Sequence, residues 1–256
     1  MGAIRALYWE AKMQLIAEFR YKFGVVSEMV VFAAMLAFFL VSDTGTSFSE
    51  KYAFGNSKTL FLLGYVAWIL AVSAIAAISE AVTEELQRGT FYKKMHSKYP
   101  LPFLLFGRLI ASVMIQTVIA AVLVAVARWV FHVDIPFRLF IAAAIFVGTL
   151  GMYGIGLAIA GLSVYFKHTG SIVFLVQLGL LFITDTIPSP GAILSVTRVL
   201  PLTLCNDVIR NYVSTGVIDR YFLILCLSAT AFLFAGTVIF SVTVRSAKKK
   251  GNLLFY

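Results

Sequence analysis

Residues 84–100, EELQRGTFYKKMHSKYP, break an otherwise apolar chain between two long apolar runs at 60–82 and 102–130. The stretch opens with Glu84 and Glu85 and collects Lys93, Lys94 and Lys98 ahead of Pro100 and Pro102. Acids early and bases late suit a helix dipole, and the prolines supply a stop. Gly89 disfavours one straight rod, so the spacing predicts a bend or two short helical pieces separated at Gly89-Thr90. Phe91 and Met95 lie four apart and would share one face as an exposed apolar knob, a docking tooth for another protein. The alternative for the pair is to press on the bilayer or on the N-terminal helix.

Working outward, 61% of the 256 residues are hydrophobic and only 13% are charged, too little polar surface to cover a water-soluble globule. A helix that crosses hydrocarbon needs about 20 mostly apolar residues. Six such runs occur, at 25–41, 60–82, 102–130, 139–163, 170–187 and 221–243. The chain therefore reads as an all-α integral membrane protein, a single transmembrane domain over 1–256 with six transmembrane helices. The first run is the shortest, the third must tilt or protrude with Arg128 at its far interface, and Trp68 and Trp129 are expected as interfacial anchors or packing residues.

Orientation follows from the basic residues, because positive loops stay cytoplasmic. With the N-terminus inside, fourteen of the 21 Lys and Arg residues face the cytoplasm, among them Lys167 and Lys250. Both termini are then cytoplasmic in a plasma membrane, and the formal charge of +9 reflects this bias rather than nucleic-acid binding. The first twenty residues carry charges throughout, which is not the pattern of a cleavable signal peptide.

Residues 1–24 read as an interfacial helix, with Ile4, Leu7, Tyr8, Ala11, Leu15 and Phe19 on one stripe and Lys and Arg for anionic headgroups. Residues 42–59 look like a plain connector. In the fourth run, Ala144, Gly148, Gly151, Ile155 and Ala158 fall near one face, where small residues let helices approach closely in lipid. Residues 185–220 contain Pro188, Pro190 and Pro201, which divide two apolar pieces too short to span. Broken re-entrant helices before the last span are the expectation, either lining a pathway or forming an amphipathic hairpin on the outer side.

Catalytic patterns are missing from the sequence. No GxxxxGK[ST], GxSxG or HExxH occurs, so the chain cannot hydrolyse ATP through the usual phosphate loop. His96, His132 and His168 fall in three separate loops, and Cys205 and Cys226 read as free thiols. The spans look nearly free of charge, with Glu80 and Asp185 at span ends, which disfavours an ion-coupled pump or an intramembrane enzyme. A non-transporting scaffold, or an immunity protein that sequesters a toxic peptide, is the alternative to a transporter.

The run Glu85-Leu86-Gln87-Arg88-Gly89-Thr90-Phe91, after the second of six spans, resembles the E-x-x-x-G-T-[LF] signature of ABC transporter permeases of the type-two export class. The topology agrees along nearly the whole chain, including Leu200-Pro201 at the break before the last span. The resemblance implies a permease that pairs with a second permease subunit, identical or different, and with nucleotide-binding ATPase subunits. ATP and Mg would be bound by those ATPase subunits, with no cofactor in this chain. It also implies that 84–99 is the cytoplasmic coupling segment, with Glu85, Arg88, Gly89, Thr90, Phe91 and Met95 as coupling residues. For the cargo, the nearly charge-free spans favour an amphiphilic molecule (lipid, drug, peptide or glycan) over a naked ion, while sodium export by complexes of the family keeps an ion open. Two departures stand out. Tyr92 occupies a position where many members carry Glu, and Pro100 comes about two residues later than usual.

Overall fold

The computed structural model describes residues 2–20, 22–42, 44–133, 135–136, 138–166 and 170–249. Lys167, His168 and Lys250, used in the readings above, lie outside them. Among the described residues every regular element is helical: α1 (Gly2–Arg20), α2 (Lys22–Val41), α3 (Thr46–Tyr52), α4 (Ser57–Gln87), α5 (Phe91–Met95), α6 (Leu101–Phe131), α7 (Leu139–Phe166), α8 (Gly170–Ile183), α9 (Gly191–Thr197), α10 (Pro201–Thr215) and α11 (Tyr221–Lys249).

Five of these, α2, α4, α6, α7 and α11, are long and apolar enough to cross a membrane. The fold is that of an all-α integral membrane protein. Large side chains such as Val30, Phe38, Leu223 and Phe234 point outward, as lipid permits and water would not. The centre is α4, buried on nearly every side, with α7 packed against both α4 and α11. Helices α1 and α5 lie at one end of the bundle, while α3, α9 and α10 lie at the opposite end.

The fifth apolar run behaves differently from the expectation. Helix α8 has 14 residues; at about 1.5 Å per residue it is roughly 21 Å long, against about 30 Å of hydrocarbon. It ends at Thr184–Thr186, where the carbonyls of Asp185 and Thr186 turn away to meet the Arg210 guanidinium. Pro188 and Pro190 follow, and Pro190 caps α9.

Helix α7 carries close approaches on several faces rather than one. Gly148 sits against Cys205 and Gly151 against Pro201, so this part of the expected small-residue face receives α10. Gly154 faces the backbone of Phe232 and Leu233, and Gly236 of α11 abuts Gly154 in return. A side chain at either position would drive the two helices apart. That α7–α11 seam lies mostly off the expected stripe and meets it at Gly151, which also faces the Ala229 backbone.

Helix α1 packs along α6, and at Gly107 the space a side chain would need is taken by the Leu7 carbonyl and Glu10. The expected stripe is therefore displaced. Leu7 and Ala11 are partly covered, whereas Ile4, Tyr8 and Phe19 stay exposed on the outer surface. The tryptophans also divide: Trp68 is buried and its indole N–H donates to the Gln177 carbonyl, while Trp129 points outward. Cys205 and Cys226 are free thiols.

Candidate functional site

The interrupting stretch folds as two pieces, as its glycine predicts. Helix α4 stops at Gln87, Gly89 takes φ +66°, the Thr90 N–H donates to Glu85 O at 3.0 Å, and the Gly89 N–H donates to Leu86 O at 3.1 Å. These two bonds around a left-handed glycine form a Schellman stop, which satisfies the last carbonyls of α4 and swings the chain into α5. Nothing lies near the missing Gly89 side chain, so backbone conformation alone selects glycine there.

Helix α5 does not present Phe91 outward. Phe91 is 1% exposed, packed with Leu86, Leu105 and Leu109, and Met95 lies partly buried against the same cluster. The four-residue spacing does place them on one face, but that face meets the bundle because α6 and the end of α4 offer it an apolar seat. The expectation of an exposed apolar knob is corrected. The outward face of α5 carries Tyr92 and Lys93, beside exposed Arg88, Thr90 and His96. Tyr92 and His96 are joined by ring contact at 4.6 Å and by the His96 Nδ1 to Tyr92 O contact at 2.9 Å. Arg88 pairs with Glu84 at 2.5 Å on the surface.

Beneath α5 lies a charged joint that spacing alone does not reveal. Lys94 Nζ is 2.7 Å from Glu85 Oε1 and 2.8 Å from Glu10 Oε2. Arg108 reaches the same two acids, with Nη2 2.5 Å from Glu85 Oε1 and Nε 3.4 Å from Glu10 Oε2. Two acids and two bases thus tie α1, α4, α5 and α6 together. Glu85 is 3% exposed, and proximity of charge holds it, since neither of its oxygens finds good hydrogen-bond geometry. A buried carboxylate requires such partners, because desolvation would otherwise penalise its charge.

At the opposite end, the broken pair turns sharply: α9 and α10 meet at 114° through Leu200 and Pro201. Helix α10 then re-enters the bundle and buries Arg210 completely. The guanidinium donates to Leu60 O at 3.2 Å, Asp185 O at 2.6 Å, Asp185 Oδ2 at 3.3 Å and Thr186 O at 3.3 Å, and lies 3.7 Å from the Phe48 ring centroid. Lys51 reaches Asp185 at 2.7 Å and Asp207 at 3.6 Å, and the Tyr52 hydroxyl donates to Asp207 at 2.5 Å. The segment read as a plain connector therefore supplies a helix, α3, whose buried Phe48 and Tyr52 join this lock. Its sequence hint is the Phe48 and Tyr52 pair at four-residue spacing beside Lys51; nothing local hints that Arg210 and Asp185 meet.

A third feature lies between α2, α4 and α8: a cleft of about 320 Å³ lined by Phe32, Met35, Trp68 and Phe174 together with Ser27, Glu28, Ser73 and Gln177. Glu28 is an acid within a span, contrary to the nearly charge-free reading, and accepts a hydrogen bond from Gln116 Nε2 at 2.8 Å. Among the described residues no group of His, Cys, Asp and Glu is arranged to hold a metal.

No curated protein matches the chain in sequence. The family model of the ABC-2 type transporters matches residues 3–213, from the start of α1 through the re-entrant α10. With that match over most of its length and its bundle of membrane-crossing helices, the chain is a membrane permease belonging to the ABC-2 type transporter family.

Proposed function

We propose that this chain is the permease subunit of an ATP-driven exporter whose ATPase is a separate chain, and that α5 with its flanks receives the ATPase. The observation that carries the reading is the joint of Glu10, Glu85, Lys94 and Arg108. A push on α5 has a rigid, charge-paired route into α1, α4 and α6. Where packed helices have two discrete arrangements, a small displacement at one end shifts whole helices.

In this reading the docking surface is the polar outward face, with Arg88, Thr90, Tyr92 and Lys93, while Phe91 and Met95 brace α5 from within. Glu85 transmits rather than touches the partner, and Gly89 sets the angle of α5. The α1 and α5 end faces the cytoplasm by the positive-inside rule, which places both termini there and α9–α10 outside. ATP and Mg are handled by the partner, and a second permease copy or homologue completes the pathway. The mixed lining of the α2, α4 and α8 cleft supports an amphiphilic cargo, because apolar walls with a few polar groups suit a molecule with both characters.

The test is affinity purification of the full chain expressed with its genomic neighbours. An ATPase should accompany it, and an R88E/K93E variant, altered only at exposed positions, should lose that ATPase while remaining folded. Retention of the ATPase by this variant would remove α5 as the docking face; absence of any ATPase from the wild-type chain would remove the exporter reading.

A further inference from the structure

Helices α6 and α7 are consecutive and meet at the α5 end, where the Tyr153 hydroxyl donates to Pro102 O at 2.7 Å and Phe106 packs edge-on against Tyr153, but their backbones stay apart. Each packs on α4 instead, so a cleft opens between them toward the surrounding lipid at the end that carries α10. Its volume is about 410 Å³, in the range of small-molecule sites. Val66 and Leu70 of α4 form the floor, with Ala121 and Val124 on one wall and Phe146 on the other. Water gains nothing among these groups, whereas hydrocarbon chains of the surrounding bilayer can enter an apolar cleft that opens toward them.

The rim is different. Arg138, in the connection between α6 and α7, lies at the mouth of the cleft and is exposed, its guanidinium standing 5.3 Å from the Tyr212 ring centroid. A cation poised over an aromatic ring at the end of an apolar slot matches the layout of a phospholipid, with hydrocarbon in the slot and phosphate at the guanidinium. From this layout we infer that the cleft between α6 and α7 is a binding site for one phospholipid of the leaflet at the α10 end, the outer leaflet in the orientation proposed above. One acyl chain lies over Val66 and Leu70, and the phosphate meets Arg138. The site rests on the geometry of the cleft and holds whether or not the chain exports.

The experiment uses the purified full chain in vesicles containing trace phosphatidylglycerol with a photoreactive group midway along one acyl chain. After illumination, mass spectrometry locates the labelled residues. Label should concentrate on the parts of α6 and α7 that line the cleft, and filling it with Ala142→Trp or, from the other wall, Ala121→Trp should abolish that concentration. Both alanines are exposed, so the tryptophans enter the cleft rather than the core. Arg138→Gln should weaken labelling about fivefold, the effect of one cation near an anionic headgroup. A diacylglycerol carrying the same photoreactive group, but no phosphate, should label the wild-type cleft as weakly. Even labelling over the lipid-facing sides of α2, α6, α7 and α11, unaffected by either tryptophan, would reduce the cleft to ordinary annular lipid. Equal labelling by the two probes would remove the phosphate contact, and cross-linking of Ala142→Cys to another protein chain in place of lipid would assign the cleft to that chain.

Discussion

The Arg210 guanidinium holds Asp185 twice, through the backbone carbonyl at 2.6 Å and the carboxylate at 3.3 Å, with both residues fully buried. These residues are 25 positions apart, and their contact pins the end of α8 to the re-entrant α10. The same cation reaches Leu60 at the start of α4. One side chain thus fastens three elements at the end of the bundle farthest from α5.

Arg210→Met should destabilise the protein by about 3–5 kcal/mol, because Asp185 would remain buried with weakened charge pairing. Arg210→Lys should recover only part of this loss, since a point charge cannot serve four acceptors arranged around a planar fork. Thermal unfolding in detergent measures both. Gly64→Ala is a companion test: a methyl group there would collide with the guanidinium. Its cost of about 1–3 kcal/mol should shrink in the Arg210→Met background, as expected for residues that share one contact.

Glu85→Gln should uncouple the joint. Lys94 and Arg108 would then share Glu10 alone, and breaking buried pairs of this kind costs about 3 kcal/mol. The expected signature is ATPase activity that persists in the assembled complex while transport falls. Arg88→Ala removes only an exposed pair with Glu84, so its effect on stability should stay within about 0.5 kcal/mol.

Phe91 and Tyr92 should separate folding from docking. Phe91→Ala empties a fully buried site and should cost about 3–5 kcal/mol in unfolding experiments. Tyr92→Ala, at an exposed position, should leave stability within about 0.5 kcal/mol while weakening ATPase capture. Loss of capture by Phe91→Ala in protein that keeps its native melting behaviour would contradict the inward placement of Phe91.

Gly89→Ala forces an L side chain into the left-handed region and should cost about 1–2 kcal/mol. Asn tolerates that conformation better, so Gly89→Asn should cost less. Comparing the melting midpoints of the two variants checks that conformation, rather than space, selects the glycine.

Burial, reinforced by the negative charge of Asp207, raises the Tyr52 hydroxyl well above its ordinary pKa of 10.0. Above that pH the unfolded chain loses a proton that the folded chain keeps. Stability contributed by Tyr52 is therefore complete below about pH 10 and declines at higher pH. Tyr52→Phe should reduce this alkaline loss of stability in pH-dependent melting curves.

Much of this architecture follows from local pattern. Long apolar runs specify membrane-crossing helices because lipid satisfies no backbone polar group, so each segment must bond internally. Gly89 announced the bend after α4, and Pro188, Pro190 and Pro201 announced a broken segment, since each acts through its own backbone. The sequence by itself therefore determined the class, most of the spans and the placement of the two interruptions. What only the tertiary structure decided is which way surfaces face and which charges meet. Phe91 turned inward because α6 supplied a seat, and 170–187 was shortened because Arg210 captured the carbonyls beyond Ile183. Glu10, Glu85, Lys94 and Arg108 converged from four helices. Helical periodicity defines the faces of one element but carries no information about its neighbour, and burial makes a charge depend on partners that lie far away along the chain.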